Sequence, residues 1–348
     1  MTSSTVFVTG ANGFIAQTLV SQLLEKGHKV IGQVRSDAKG AQLAELVNNK
    51  NFNYVVVPVI EAEHAFDKVL KDHPEVETFY HTASPVSFAN DDVENNILIP
   101  AINGTKYVLQ SIKEHAPQLQ HFVYTSSIVA LADLLNAPLG IKEAEWSPMT
   151  YEQAKTNGML AYAGSKKFAE QEVWKFRDEH QPKFTIATIL PSFVTGPQAF
   201  AANLKNLSST SALFAAAINA KTREELEACI PFPLAIDIRD VARAHISAAE
   251  NVKANGQRLI LSNGTFNADT VLTILNEKYP GKSSLKPNDP VTPTMPDIVD
   301  NKLTRSLLGE WIPLVQSLAD AIVQHGESGF TLELSLADSI IQQAKSEL

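Results

Sequence analysis

Short apolar runs alternate with segments of helical periodicity through the first half of the chain. The runs are four to six residues long and rich in β-branched and aromatic residues, as strands are. The strands that they predict cover residues 6–9, 30–34, 54–57, 78–81, 122–125 and 185–190. Between the first two, apolar residues such as Leu19 and Leu23 recur at helical spacing from 13 to 26, and Gly27 ends the helix. This alternation predicts a parallel sheet with crossover helices.

The pattern changes beyond Pro191. Proline-rich stretches replace the clear strand–helix alternation, and four prolines fall in an irregular segment from about 282 to 300. We therefore predict an α/β fold: a Rossmann-type, doubly wound parallel sheet over 1–191, to which some later segments return, and a smaller, mostly helical C-terminal lobe with a tail over 192–348. The tail, 326–348, contains one amphipathic stretch, which fits a docking helix and a loose end equally well.

Composition narrows the function classes. The 348 residues include 29 basic and 38 acidic side chains, a net charge of −9, so neither nucleic acid nor an anionic membrane surface is an expected partner. One cysteine, Cys229, excludes an intramolecular disulfide framework. No stretch approaches the ~18 apolar residues of a membrane span, and the first apolar run is too short for a signal peptide. We therefore expect a cytoplasmic protein.

A glycine-containing turn joins the first strand to the first helix. Gly10, Asn12 and Gly13 stand in this turn, and Phe14 and Ile15 begin the helix. Glycines let the backbone turn tightly and approach a pyrophosphate, whose charge meets the free N–H groups at the helix N-terminus. Two glycines alone are weak evidence, but the strand before them and the helix after them favour a dinucleotide site.

Two basic residues follow the second strand. An acidic side chain at this position accepts a hydrogen bond from the ribose of NAD, whereas a basic one pairs with the 2′-phosphate of NADP. Here Arg35 stands 22 positions after Gly13, and Lys39 follows one helical turn later. A guanidinium can bind a phosphate bidentately, so the sequence favours NADP(H). An exposed arginine in a surface turn is the alternative.

Tyr162 and Lys166 are four residues apart in a predicted helix, so their side chains share one face. The ammonium is expected to lower the pKa of the phenol and make it a usable acid and base. Such a pair is common on helix surfaces, but Ser126 and Ser127 follow a predicted strand on the same side of the sheet. A hydroxyl there could hold a carbonyl oxygen against the phenol, although a serine cluster that caps the next turn is the alternative.

Taken together, these motifs resemble the extended short-chain dehydrogenases/reductases. The chain is most similar to the dihydroflavonol-reductase-like branch, and within it to the yeast NADPH-dependent methylglyoxal and aldehyde/ketone reductases. The matching segments occur in family order across most of the chain: Thr9-Gly10-Ala11-Asn12-Gly13, His81-Thr82-Ala83-Ser84-Pro85, Thr125-Ser126-Ser127, Tyr162-x-x-x-Lys166, Pro191-x-x-x-x-Gly196-Pro197 and Asp240-Val241-Ala242-Arg243-Ala244-His245.

The resemblance implies a site. Its catalytic residues would be Ser127, preferred to Ser126, with Tyr162 and Lys166. The cofactor contacts that it implies are Gly10, Asn12, Gly13, Phe14, Ile15, Arg35, Lys39, Val59, Ile60, Thr82, Ala83, Tyr162, Lys166, Pro191, Val194 and Ser211. Its substrate contacts would be Val86, Ile128 and Phe193, for which ordinary core packing is an equal alternative. Val59 departs from the family, whose members carry an acidic residue there to meet the adenine.

The implied activity is reduction of aldehydes and ketones, such as methylglyoxal or aliphatic and aryl ketones, by NADPH, with Tyr162 as proton donor. A nucleotide-sugar epimerase or dehydratase is the alternative, but it predicts a polar lobe, whereas Phe200, Leu204, Leu213 and Phe214 are apolar. A non-catalytic NADP(H)-sensing regulator is the third hypothesis, and the intact tyrosine and lysine weigh against it. The sequence spacing predicts no metal ligands, and it leaves a monomer and a homodimer open.

Overall fold

The computed structural model describes residues 3–84, 92–135, 141–142 and 145–330. The strands are β1 (Thr5–Val8), β2 (Lys29–Val34), β3 (Phe52–Val56), β4 (Val76–His81), β5 (His121–Thr125), β6 (Ile141–Lys142), β7 (Thr185–Pro191), β8 (Phe193–Thr195), β9 (Leu234–Asp237), β10 (Arg258–Leu261), β11 (Gly264–Thr265) and β12 (Val299–Asp300). The α-helices are α1 (Phe14–Glu25), α2 (Asp37–Val47), α3 (Asp67–Asp72), α4 (Ile99–His115), α5 (Tyr151–Ala154), α6 (Gly158–His180), α7 (Ser209–Asn219), α8 (Arg223–Ala228), α9 (Ile238–Glu250), α10 (Ala268–Lys278), α11 (Lys302–Leu308) and α12 (Leu314–Glu327).

Seven parallel strands form the central sheet, in the order β10-β7-β5-β4-β1-β2-β3. The chain winds outward from β1 in both directions, so the strand order reverses between β1 and β4. In such sheets the crevice at the carboxyl ends of the two strands is where ligands bind. The predicted α/β fold is confirmed, and the six predicted strands lie within two residues of their observed bounds.

Alternate residues of the strands face opposite layers of the core. On β1, Val6 and Val8 face the layer of α1 and α9, while Phe7 faces the layer of α4 and α6. The Phe7 ring stacks on Phe79 with 4.8 Å between ring centroids, and Phe79 continues the stack to Phe122 at 6.0 Å. Each such buried ring stabilises the fold by ~1.5 to 3 kcal/mol. Both faces of the sheet are thus covered, as a parallel sheet requires.

The C-terminal lobe has a hydrophobic core of its own. Phe193 of β8, Phe214 of α7, Leu275 of α10 and Leu318 of α12 are buried together in it. A small sheet in which β9 pairs with both β8 and β11 lies beside this core. The helices α7, α10 and α12 therefore provide most of the packing in this lobe.

The succession β9–α9–β10, beyond Pro191, differs from the expectation that strand–helix alternation ends there. Its last two elements return to the main sheet, since α9 packs against α1 and β10 pairs with β7, whereas β9 belongs to the small sheet. Both strands are four residues long, and so short a run carries little periodicity. The irregular segment is confirmed, since residues 282–298 contain neither helix nor strand. The boundary at 191 stays a prediction.

Candidate active site

The turn between β1 and α1 lies at the carboxyl edge of the sheet. Gly10 has a φ of +60°, and a Cβ added to it would lie 3.1 Å from the Cα of Ala83. Glycine is therefore required both by the backbone conformation and by the close approach of the β4 end. Gly13 is the N-cap of α1 and no side chain caps this helix, so the first-turn N–H groups remain available to an anion.

Thr9 fixes this turn to the end of β4. Its Oγ1 accepts hydrogen bonds from the backbone N–H groups of Thr82, at 3.0 Å, and Ala83, at 2.9 Å. With both lone pairs used, the hydroxyl donates to Nδ1 of His81, 3.0 Å away, which leaves the imidazole neutral with its proton on Nε2. Burial, with the charge of Lys166, lowers the pKa of His81 to about 3. His81 is thus a structural acceptor and not a base.

Gln33 connects the glycine turn to the next strand, a role that the sequence analysis missed. Its Oε1 accepts from the N–H of Gly10 at 2.9 Å, and its Nε2 donates to the carbonyl of Val57 at 2.8 Å. The side chain is buried. A glutamine inside the otherwise apolar strand β2 was the available signal, because a buried amide must find hydrogen-bond partners.

The end of β2 presents two cations to solvent. Arg35 and Lys39 are exposed, and neither head group forms a hydrogen bond or ion pair with any residue in the part of the chain that the structure describes. The nearby Asp37 instead accepts a hydrogen bond from the hydroxyl of Tyr54 at 2.8 Å, and the ring of Tyr54 covers Gly40. The two cations are therefore free to meet a phosphate.

Ser127 and Ser126 point in different directions beyond β5. Ser126 donates to the buried carboxylate of Glu170 at 2.6 Å, so it takes a structural position. The Ser127 hydroxyl lies 3.5 Å from the carbonyl of Pro191 and forms a hydrogen bond with the phenol of Tyr162. The geometry therefore distinguishes the two serines and places Ser127 beside the phenol.

Tyr162 and Lys166 lie on one face of α6, and the ammonium is 5.9 Å from the centre of the phenol ring. Burial raises the pKa of Tyr162, although the hydrogen bond from Ser127 acts in the opposite direction. The expectation that the lysine lowers this pKa is therefore wrong for the chain by itself, because loss of hydration of the phenolate dominates. Burial also lowers the pKa of Lys166 to about 8. At neutral pH the site holds a protonated phenol beside a cation.

Four further predicted cofactor contacts, Val59, Ile60, Val194 and Ser211, range from half exposed to buried. Val59 is 50% exposed at the end of β3, whereas the side chain of Ile60 is buried in the core, so only its backbone can face a ligand. Val194 is buried in β8, and the hydroxyl of Ser211 donates to the carbonyl of Ser208 at 2.7 Å.

The three predicted substrate contacts receive little support from the geometry. Ile128 is 1% exposed and packs in a core cluster with Leu190. Phe193 is 5% exposed and packs against Phe266. Val86 lies outside the described residues. These contacts stay predictions.

Away from this site, the fold brings together ligand atoms of His64, Asp67 and Glu114, which lie within 4.8 Å of one another. The spacing of these residues along the chain gave no metal signal. The proximity arises because the start of α3, with the residues just before it, packs against the end of α4.

Comparisons with known proteins agree with the arrangement. The model of the NAD dependent epimerase/dehydratase family matches residues 6–267. The chain is 41% identical over 339 residues to a putative NADPH-dependent methylglyoxal reductase of Candida albicans, with 92% of this chain and 98% of the relative covered. It is 40% identical over 322 residues to the NADPH-dependent methylglyoxal reductase of Saccharomyces cerevisiae, with 87% and 92% covered. The crystal structure of a yeast methylglyoxal/isovaleraldehyde reductase complexed with NADPH is 36% identical, with a TM-score of 0.86 and 94% and 100% of the two chains covered.

Proposed function

The chain belongs to the NAD dependent epimerase/dehydratase family, and we propose that it is an NADPH-dependent reductase of aldehydes and ketones. One observation carries the proposal: the Ser127 hydroxyl, the Tyr162 phenol and the Lys166 ammonium meet beside the carboxyl edge of a dinucleotide-binding sheet. The similarity to methylglyoxal reductases over about nine-tenths of the chain supports the same activity.

The residues present fit NADPH. Gly10, Gly13 and the uncapped N-terminus of α1 would hold the pyrophosphate, since a side chain at Gly10 would fill the space against Ala83. Arg35 and Lys39 would bind the 2′-phosphate, because neither charge is neutralised by a described residue. The bound nicotinamide supplies the hydride for the carbonyl carbon.

The protein's own residues supply the proton and the positioning. The raised pKa of Tyr162 keeps its hydroxyl protonated at neutral pH, so the phenol can give this proton to the carbonyl oxygen. The Ser127 hydroxyl, within hydrogen-bond reach of that phenol, would donate to the same oxygen and stabilise the charge that develops there. The Lys166 ammonium then stabilises the phenolate that remains.

Three of the four apolar residues that weighed against a nucleotide-sugar enzyme lie in the protein interior. Leu204, Leu213 and Phe214 are buried, and the last two pack in the core of the C-terminal lobe, so their apolar character does not describe a pocket. The similarity to named reductases now carries the preference for carbonyl reduction.

A direct assay tests the activity. We expect purified protein to oxidise NADPH, followed at 340 nm, when methylglyoxal or a panel of aliphatic and aryl ketones is added, and to use NADH far less well. A protein that binds NADPH and reduces none of these carbonyl compounds would contradict the proposal. Conversion of a nucleotide sugar by the same preparation would instead support the epimerase alternative.

The cofactor preference can be tested at Arg35. We expect Arg35→Asp to raise the KM for NADPH about 10- to 100-fold, because a charge-assisted hydrogen bond contributes ~1.5 to 3 kcal/mol and the new carboxylate repels the phosphate. The KM for NADH should change about threefold at most. Steady-state kinetics with both cofactors give the comparison.

A matched control makes the same change of charge elsewhere. Lys50 is exposed in the turn between α2 and β3, at the opposite edge of the sheet, so Lys50→Asp should leave both KM values unchanged. Equal losses with NADPH and NADH in Arg35→Asp would exclude the phosphate assignment.

We propose a small carbonyl compound as the substrate partner and the cytoplasm as the location. Among the described residues, none of the helices combines the length and the apolar character that a membrane-spanning segment needs. Imaging of the tagged protein in its native cells would test the location, and sedimentation would distinguish the monomer from the homodimer.

A further inference from the structure

Two histidines and two carboxylates meet where the start of α3 and the residues just before it pack against the end of α4. We define the His64 cluster as His64, Asp67, Glu114 and His115. Oδ2 of Asp67 lies 3.0 Å from Nδ1 of His64 and 3.2 Å from Nε2 of His115. Oε2 of Glu114 lies 3.7 Å from the same Nε2 of His115. We propose that the His64 cluster binds a zinc ion.

The spacing of the donor atoms fits zinc. Two ligand atoms of a tetrahedral zinc site, each about 2.0 Å from the ion, are about 3.3 Å apart. Three separations in the His64 cluster, 3.0, 3.2 and 3.7 Å, lie on either side of this value. The ligand atoms of His64, Asp67 and Glu114 also lie within 4.8 Å of one another, and the exposed side chains of His64 and Glu114 are the ones that would rotate toward the ion.

The fold already orients the central carboxylate. Oδ1 of Asp67 accepts a hydrogen bond from the Ser111 hydroxyl at 2.7 Å, which turns Oδ2 toward the two imidazoles. Ser111 and His115 are four residues apart and share one face of α4. A hydrogen-bonded ligand of this kind is typical of metal sites, in which outer partners orient the ligands.

Burial is graded across the cluster. The side chains of Asp67 and His115 are 18% and 17% exposed, while His64 is 67% and Glu114 is 54% exposed. Nε2 of His115 is buried and lacks a partner with hydrogen-bond geometry, although Asp67 is close enough for an ion pair. The inner ligands are therefore fixed, and the outer ones leave a path for an ion to enter.

The nitrogen and oxygen donors of the His64 cluster favour zinc over magnesium and calcium. Magnesium and calcium prefer sites made of oxygen ligands only, whereas two imidazoles with two carboxylates suit zinc. Because α4 leads the chain back to the start of β5, its end lies at the amino edge of the sheet, opposite the site of Tyr162. The zinc ion would thus join two segments of the scaffold without entering the reductase site.

Calorimetric titration of ZnCl₂ into chelator-treated protein without a histidine tag tests the proposal. We expect one zinc ion per chain, a rise in Tm with zinc, and no heat with MgCl₂. His115→Gln and His64→Gln should each weaken binding at least tenfold, and Ser111→Ala should weaken it about tenfold through the loss of carboxylate orientation. Carbonyl reduction should not change in any of these variants.

The control is His73→Gln. His73 pairs with Glu75 at 3.1 Å, outside the His64 cluster, so its loss should leave zinc affinity unchanged. Absence of stoichiometric binding to the unmodified protein, or equal weakening in His73→Gln, would show that the cluster consists of ordinary ion pairs. If His115→Gln fails to fold, zinc binding is measured in His64→Gln and Glu114→Gln instead. These variants remove exposed ligands and leave the core intact, so unchanged zinc affinity in both would exclude the site.

Discussion

Replacing Tyr162 by phenylalanine is expected to lower kcat by about a thousandfold or more, with little change in the affinity for NADPH. General acid catalysis contributes ~10² to 10⁴ in rate. The substitution also removes the hydrogen bond to Ser127 and leaves the carbonyl oxygen without its proton donor. Because the ring is retained, its packing near Lys166 and the backbone of α6 should not change.

Two measurements distinguish a loss of the chemical step from a loss of the folded, NADPH-binding protein in this variant. Turnover of methylglyoxal with NADPH reports the reaction, and quenching of intrinsic fluorescence by NADPH reports binding. Tyr107→Phe is the matched control, since it removes the same atom from a partly exposed residue of α4. A loss of less than tenfold in Tyr162→Phe would show that another group protonates the product.

The fold was predictable where apolar strands and amphipathic helices alternate regularly along the chain. Strands of a parallel sheet are buried on both faces, so β1, β2 and β7 read as largely apolar runs. The strands β9 and β10 are as short as β1, and they were not found because prolines and polar residues before them interrupt the alternation. The position of β9 depends on pairing with β8 and that of β10 on pairing with β7, and such pairing cannot be predicted from the local sequence.

The candidate site was predictable where its residues are close in sequence. Tyr162 and Lys166 share one helix, and helical spacing alone puts them together. The supporting contacts were missed, because their partners are far apart: Thr125 and His245, 2.7 Å apart, are separated by 120 positions. The direction of the Tyr162 pKa was also wrong, since sequence shows the neighbouring charge and does not show burial.

Among the residues that the sequence analysis missed, Glu170 joins the most elements of the fold. This fully buried carboxylate lies one helical turn after Lys166 on α6 and forms an ion pair with Arg258 of β10 at 2.7 Å. It also accepts hydrogen bonds from Ser126 at 2.6 Å and from Thr188 of β7 at 2.8 Å. One side chain thus joins α6 to β7, to β10 and to the serine next to Ser127.

We expect Glu170→Gln to lower the free energy of unfolding by about 3 to 5 kcal/mol, because it removes one charge of a buried ion pair and keeps the other. Urea unfolding followed by circular dichroism measures this loss. The control is Glu250→Gln, which breaks a pair with Lys26 that is one-third exposed and should cost no more than about 1 kcal/mol. The double variant Glu170→Gln/Arg258→Met should recover most of the stability, since neither charge of the buried pair then remains. Equal losses in the single and double variants would show that the hydrogen bonds of Glu170, rather than its charge, hold α6 against the sheet.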